Sequence, residues 1–397
     1  MTDQLQDATR PYSPAALTSL LSPDTRVLAL GEPTHGVDAF LDLRNELLAH
    51  LVEHEGYRSV AIESDCLAAL TADAYVTEGT GDLDTVMATG FSHGFGASAA
   101  NRSLLTWMRD HNETCAPEDR VRFHGVDGPL EITGAASPRP ALTALRDHLS
   151  THLGPAPVPS ADTLDTLLGP DDRWTHPNVM TDPGASPGRT DDARELRLLA
   201  DDLQTLLTAH APQLLAAAST EAHRRAELYA RTATGLLRYH AALADTSPHR
   251  IATLLGLRAT MMADNLDAVL RADERRGRTL VFAHNAHLQR NLSSLTMGGT
   301  LFEWWSLGAI LSARLGTGYA FAATTFGTRN GTDTPAPTTL EGILAALPHP
   351  RTLVDPRRLA TALDRQPDRR TPADHTYFPL DPATTDLTDA IVFLREI

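Results

Sequence analysis

Lysine is absent from this chain of 397 residues; all 34 of its Lys-plus-Arg positions are arginine. No Schiff-base lysine, Walker-type phosphate lysine or pyridoxal-phosphate lysine can therefore operate here, which removes three large classes of enzyme chemistry. Cysteine is nearly absent as well. Cys66 and Cys115 are the only two, too few for the disulfide framework of a small secreted domain. Cys66, close after Glu63, reads as a small buried thiol. No run approaches the ~20 apolar residues of a membrane span, and the polar residues 1–11 lack the apolar centre of a signal peptide. The expected location is the cytoplasm. Basic charge is scarce too: 50 acidic against 34 basic residues leaves a formal net charge of −16. Nucleic acids and anionic membranes reward basic patches, so neither is expected as a partner. A small-molecule substrate is expected instead, and oligomeric state is left open. Arginine at every basic position, with abundant Ala, Pro, Thr and Asp, reads as the codon use of a GC-rich actinobacterium.

What is present is concentrated at a few strand ends. Val27-Leu28-Ala29-Leu30 runs into Gly31-Glu32-Pro33-Thr34-His35-Gly36. An apolar run stopped by glycine reads as a buried strand delivering its C-terminal end to a turn, the place where open α/β sheets bind ligands. Two further runs end in the same manner: Ser59-Val60-Ala61-Ile62 in Glu63, and Thr279-Leu280-Val281-Phe282-Ala283 in His284-Asn285-Ala286-His287. Glu and paired His are costly to bury unpaired, so packing gives no reason for a core strand to finish in them. The three ends are predicted to converge in one pocket.

The fold class expected is α/β, a mostly parallel central sheet wrapped by helices, with a helical subdomain forming one wall of the active-site cleft. A single domain over 1–397 is expected in four pieces. Residues 1–128 form the first part of the α/β core, where strand and helix patterns alternate. Residues 129–190 form a Pro/Gly-rich insertion, read either as a mobile loop or as a lid, the composition shift reaching Arg194. Residues 191–276 form the helical subdomain, with an apolar stripe expected through Leu196, Leu198, Leu199, Leu203, Leu206 and Leu207. Residues 277–397 return to the α/β core, with strands expected at 279–283, 318–326 and 389–394.

Taken together, the motifs resemble the erythromycin esterase family over most of the chain. Gly31-Glu32-Pro33-Thr34-His35-Gly36 is similar to the family's Gly-Glu-x-Thr-His-Gly signature. Arg44 and Glu63 follow His35 by nine and twenty-eight residues, as the family's Arg and second Glu do. Arg258 with Met262, Ala263 and Asn265 resembles its Arg-x-x-x-Met-Ala-x-Asn helix, and His284-Asn285-Ala286-His287 its His-Asn-x-His element. Weaker echoes are Trp107-Met108-Arg109 with Asn112, and Phe123-His124-Gly125-Val126-Asp127. Pro33 departs from the smaller residue usual before the Thr, and residues 90–96 depart from the family's look, which leaves the substrate open.

On the residues themselves, His35 is the candidate general base, because an imidazole accepts protons near neutral pH. Glu32 and Glu63 divide two tasks, orienting its ring and holding the attacking water. Arg44 would steady the carboxylates or a developing oxyanion, and His284 and His287 would donate to that oxyanion or bind substrate oxygens. Arg258, His93, Asp127 and Asn285 are expected to contact substrate. There is no Gly-x-Ser-x-Gly elbow, so activated water is preferred over a serine acyl-enzyme. Glu32, His35, Glu63, His284 and His287 number enough ligands for zinc. However, His-x-x-His at a strand end is not the His-Glu-x-x-His helix of zincins, and the resemblance implies metal-free chemistry. Neither metal nor cofactor is expected. The function expected is hydrolysis of an ester or lactone of a polyketide- or macrolide-like molecule, in antibiotic resistance. The alternative is a secondary-metabolite tailoring enzyme (cyclase, lyase or isomerase) using the same base without net hydrolysis. A non-catalytic ligand-binding protein is the third reading, and the number of matching polar positions speaks against it.

Overall fold

The computed structural model describes residues 2–131, 134–371 and 376–397. Its main sheet has eight strands: β1 Thr9–Pro11, β2 Val27–Glu32, β3 Tyr57–Asp65, β4 Arg122–Asp127, β5 Arg278–His284, β6 Tyr319–Thr328, β7 Arg351–Val354 and β8 Ala390–Glu396. Their order across the sheet is β1-β7-β8-β6-β2-β5-β3-β4. The pairs β8–β6, β6–β2, β2–β5 and β5–β3 are parallel, whereas β7 pairs antiparallel with both β8 and β1. The fold is thus mixed α/β, with a large, mostly parallel sheet and helices around it.

Every residue of β2 is buried, and so is nearly all of β6. Strands covered on both faces read as continuous apolar runs rather than alternating ones, which is why Val27-Leu28-Ala29-Leu30 and Ala320-Phe321-Ala322-Ala323 were recognisable as strands. The register places Glu32 opposite His284 and Gly31 opposite Ala283, so the polar ends of β2 and β5 finish at one level. Gly31 admits no side chain: a Cβ there would stand 2.0 Å from Asn285 Oδ1.

The chain divides into two compact units. The first comprises 1–64, 68–125 and 266–397; the second comprises 65–67 and 126–265. In the first unit, Leu28, Leu30, Phe40, Leu47, Leu51, Val60, Leu280 and Phe282 belong to one apolar cluster between sheet and helices. Helix Asp38–His54 contributes Phe40, Leu43, Leu47, Leu48 and Leu51 at the expected i, i+3, i+4 spacing, and it carries Arg44.

The second unit is helical, built around Arg139–Leu153, Asp191–Ala209, Thr220–Leu243 and the first part of Arg250–Ala272. The stretch 129–194, expected as a mobile loop or a lid, contains regular helix. Its Ile132 and Thr133 lie outside the described residues, but Arg139–Leu153 and Ala161–Leu168 are regular helices. Leu142, Leu145, Leu149, Leu164 and Leu168 join the helices 191–209 and 220–243 in one apolar core. The Pro and Gly residues fall between or at the ends of these helices, where they cost little.

Candidate active site

Three strand ends build the site. Glu32 closes β2, Glu63 lies near the end of β3, and His284 closes β5. His35 stands three residues beyond Glu32, so the Pro33-Thr34 turn brings its ring back onto the carboxylate. His35 Nδ1 donates to Glu32 Oε1 at 2.7 Å. The other ring nitrogen, Nε2, lies 3.9 Å from Glu63 Oε1, beyond hydrogen-bond range. The ring itself is 42% exposed, whereas both carboxylates are almost fully buried.

Burial pushes the Glu32 carboxyl above its ordinary range; the His35 hydrogen bond pulls the other way but does not win. Glu32 Oε2 is buried with no hydrogen-bond partner among the described residues, the physical reason that the ionised form is disfavoured. Glu63 is held differently. Its Oε2 accepts the backbone N–H of His284 at 2.8 Å, and its Oε1 lies 3.1 Å from His287 Nε2. His287 thus meets Glu63 from the short helix Asn285–Leu288 that follows β5.

A cavity of about 530 Å³ opens over these groups. Glu32, His35, Glu63 and Arg44 line it, together with apolar Leu41, Ile62, Phe95 and Phe282. Arg44 is 1% exposed, and burial lowers its guanidinium to about 10, still well above neutral pH. Its Nε and Nη2 donate to Asn45 Oδ1 at 3.1 and 2.8 Å, with the Phe282 ring 5.0 Å from its guanidinium carbon. A buried positive charge therefore faces the same cavity as the two carboxylates. His93 also lines it, in the left-handed conformation (φ 57°) just before Gly94 (φ 72°).

Four other residues singled out from the sequence sit elsewhere or are otherwise engaged. His284 Nε2 donates to Pro33 O at 3.1 Å, and its Nδ1 accepts from the Ala286 N–H at 3.1 Å. Both nitrogens thus serve the backbone. Burial, reinforced by nearby His35, pushes the imidazole down to about 3. A neutral ring with both nitrogens committed braces the turn and has no donor left for an oxyanion. Asn285 Nδ2 donates to Thr324 O at 2.9 Å, and the buried amide ties the end of β5 to β6 instead of lining the cavity. In the second unit, Arg258 donates from Nε and Nη2 to Asp127 Oδ2 at 2.9 and 2.6 Å. Asp127 is fully buried and its Oδ1 accepts the Gly128 N–H, so this pair reads as an internal ion pair of that unit.

The sequence reading missed Asn101, which lines the cavity from helix Ala99–Glu113. It is 2% exposed, and its Nδ2 donates to Phe95 O at 2.9 Å, steadying the loop that carries His93 and Phe95. A polar residue on the apolar stripe beside Leu104, Leu105 and Met108 was the signal available. It also missed the role of residues 376–378: the Phe378 N–H donates to Pro33 O at 3.0 Å and its ring packs edge-on against His284, centroids 4.9 Å apart. Among the described residues, no three His, Cys, Asp or Glu side chains are grouped to hold a metal ion.

The erythromycin esterase family profile matches residues 52–397. The chain belongs to the erythromycin esterase family. The matched stretch contains Glu63, His284 and His287 and begins after the turn that carries Glu32 and His35. Erythromycin esterase type II of Escherichia coli is 29% identical over 106 residues, 27% of this chain and 24% of that protein. The chain thus aligns with about a quarter of that curated relative's length. Solved structures show the erythromycin esterase fold more completely. A Bacillus cereus protein superposes with a TM-score of 0.71 at 16% identity, covering 99% of this chain and 96% of its own. A mutant of the erythromycin esterase EreC, in its open conformation, gives 0.66 at 17% identity, covering 96% and 93%. A succinoglycan biosynthesis protein gives 0.67 at 17%, covering 99% and 96%.

Proposed function

We propose that this protein hydrolyses a carboxylic ester or lactone of a macrolide- or polyketide-like small molecule. Membership of the erythromycin esterase family supports the class of reaction. The observation that carries the mechanism is the 2.7 Å bond from His35 Nδ1 to Glu32, which turns Nε2 toward Glu63 at the cavity. With its proton held on Nδ1, the imidazole presents a lone pair at Nε2. Nε2 takes a proton from water as the water oxygen attacks the ester carbonyl carbon. The resulting imidazolium, stabilised by Glu32, returns that proton to the leaving alkoxide as the C–O bond breaks. Glu63, fixed by His287 and the His284 N–H, is placed to orient the water. The buried Arg44 charge favours the negative oxygen of the tetrahedral intermediate. Leu41, Ile62, Phe95 and Phe282 supply the apolar wall that such a substrate requires.

Incubation of the protein with a panel of macrolides in H₂¹⁸O tests this reading. The expected product is heavier than the substrate by one water and carries the label in its new carboxylate. A product of unchanged mass would replace hydrolysis by intramolecular tailoring chemistry, and no product from any macrolide would overturn the substrate class.

A further inference from the structure

One arginine outside the cavity lining reaches the turn that presents Glu32 and His35. After β6 the chain reads Thr328-Arg329-Asn330-Gly331-Thr332. Asn-Gly favours a type I′ turn, whose two central residues both need positive φ. Asn330 and Gly331 adopt φ 50° and 69°, and Arg329 and Thr332 form an antiparallel bridge across them. The Asn330 N–H also donates to Ile397 O at 3.0 Å. The backbone at Arg329 is therefore pinned by local turn chemistry and by the strand end beside it.

From that anchor the side chain crosses Phe326, its guanidinium carbon 5.6 Å from the ring centre, and Nη2 donates to Thr34 Oγ1 at 3.2 Å. Thr34 is fully buried and stands between Glu32 and His35. Its hydroxyl donates to Thr376 Oγ1 at 3.4 Å. A hydroxyl has one proton, so a group that donates to Thr376 accepts from Arg329, and the two contacts define one orientation. Nearby Arg370 shows what a packing arginine looks like here. It also lies over Phe326, at 4.8 Å, but its bonds end on Phe326 O and on Asp333. The Arg329 bond ends inside the turn that bears the proposed base.

We propose that Arg329 is a positioning residue of the site. Through the Thr34 hydroxyl it holds the Glu32–His35 turn in the one geometry where His35 Nδ1 meets Glu32 Oε1. A charge-assisted bond to a buried hydroxyl suits this task, since its loss leaves that oxygen short of a partner in a dry environment. The consequence for turnover rests on the general-base reading above; the consequence for His35 geometry does not.

The test is long-range ¹H–¹⁵N NMR of ¹⁵N-histidine-labelled protein, with His35→Asn assigning the His35 signals. The wild type is expected to show one His35 tautomer, protonated on Nδ1. Arg329→Met and Thr34→Val are expected to mix the tautomers, and Arg329→Lys and Thr34→Ser to restore the single form. Thr34→Val removes the same bond with a near-isosteric side chain, so it decides the matter should Arg329→Met fail to fold. An unaltered Nδ1-protonated His35 in Thr34→Val or Arg329→Met would overturn the proposal. In activity, kcat is expected to fall about tenfold or more with KM within about twofold, as for a small misplacement of a reacting group. Mixed tautomers with undiminished turnover would leave the brace in place and remove His35 from the chemistry instead.

Discussion

His35 and His287 approach the same carboxylate oxygen from different elements: Glu63 Oε1 lies 3.1 Å from His287 Nε2 and 3.9 Å from His35 Nε2. The difference in distance separates their tasks. His287 is close enough to fix Glu63, whereas the longer gap at His35 leaves the proposed base facing a carboxylate that is already held. Glu32, Glu63 and the two imidazoles therefore form a chain of contacts, tight from Glu32 to His35 and from His287 to Glu63 and open between His35 and Glu63.

Replacing His35 by Asn or Ala should lower kcat about a hundredfold or more, the range of a positioned general base. The fold should persist, because the ring is 42% exposed and is not among the residues of the apolar cluster between sheet and helices. The check is steady-state kinetics on the true substrate beside a melting curve. Near-full activity in either variant would remove His35 from the mechanism.

Glu32→Gln should cost activity and gain stability in the same protein. A glutamine cannot stabilise the imidazolium, so kcat should drop about a hundredfold. The stability argument follows from the raised carboxyl. The folded state binds the Glu32 proton more tightly than the unfolded chain, whose value is 4.5. The ionised side chain is thus a burden above its raised folded-state value, and the burden disappears as pH falls through that value toward 4.5. The variant should melt higher than wild type at pH 8, with the gap closing toward pH 4.5. A variant that melts lower at pH 8 would contradict the assignment of burial as the dominant influence.

Much of this was legible in the residues, and the exceptions have physical causes. The central strands β2, β5 and β6 announced themselves because buried parallel strands are unbroken apolar runs. Glu32, His35 and Glu63 stood out because strands rarely end in charge without a use for it. The short strands Thr9–Pro11 and Arg351–Val354 on one side of the sheet escaped, being three and four residues long. Helix Arg139–Leu153 was hidden by its Pro/Gly-rich flanks although Leu142, Leu145 and Leu149 carry the helical period. His284 was expected to donate to an oxyanion or bind substrate oxygens and Asn285 to contact substrate, since a sequence displays the polar group and not its partner. Here the partners are Pro33 O, the Ala286 N–H and Thr324 O, backbone groups that no side-chain motif encodes.

His284→Asn should therefore act on stability in acid more than on the pH profile of turnover. The folded-state value of His284 is pushed down to about 3, against 6.5 in the unfolded chain. The folded state binds this proton less tightly, so the contribution of His284 is fully present above pH 6.5 and is lost progressively between 6.5 and 3. Acid denaturation of wild type should be steeper through that window than that of the variant. At pH 7.5 the variant should be destabilised by about 1–3 kcal/mol from the lost bonds to Pro33 O and the Ala286 N–H. The acidic limb of kcat/KM should stay where it is, because a ring neutral down to about pH 3 cannot set it. A limb that moves with this substitution would return His284 to the acid–base machinery.

Prolonged chelation should leave turnover within about twofold of the untreated protein, and metal analysis should find well under one equivalent of zinc. The ground for this is donor geometry. A zinc ligand set needs lone pairs converging at about 2.0–2.3 Å from one point. Both nitrogens of His284 are engaged with backbone atoms, His35 Nδ1 with Glu32, and Glu63 with His287 and the His284 N–H. Assembling them around an ion would break the contacts that hold the turn after β2 and the end of β5. Stoichiometric metal whose removal abolishes turnover, with activity regained on adding zinc back, would recast Glu32, His35, Glu63 and His287 as ligands and replace the acid–base mechanism with one built on metal-bound water.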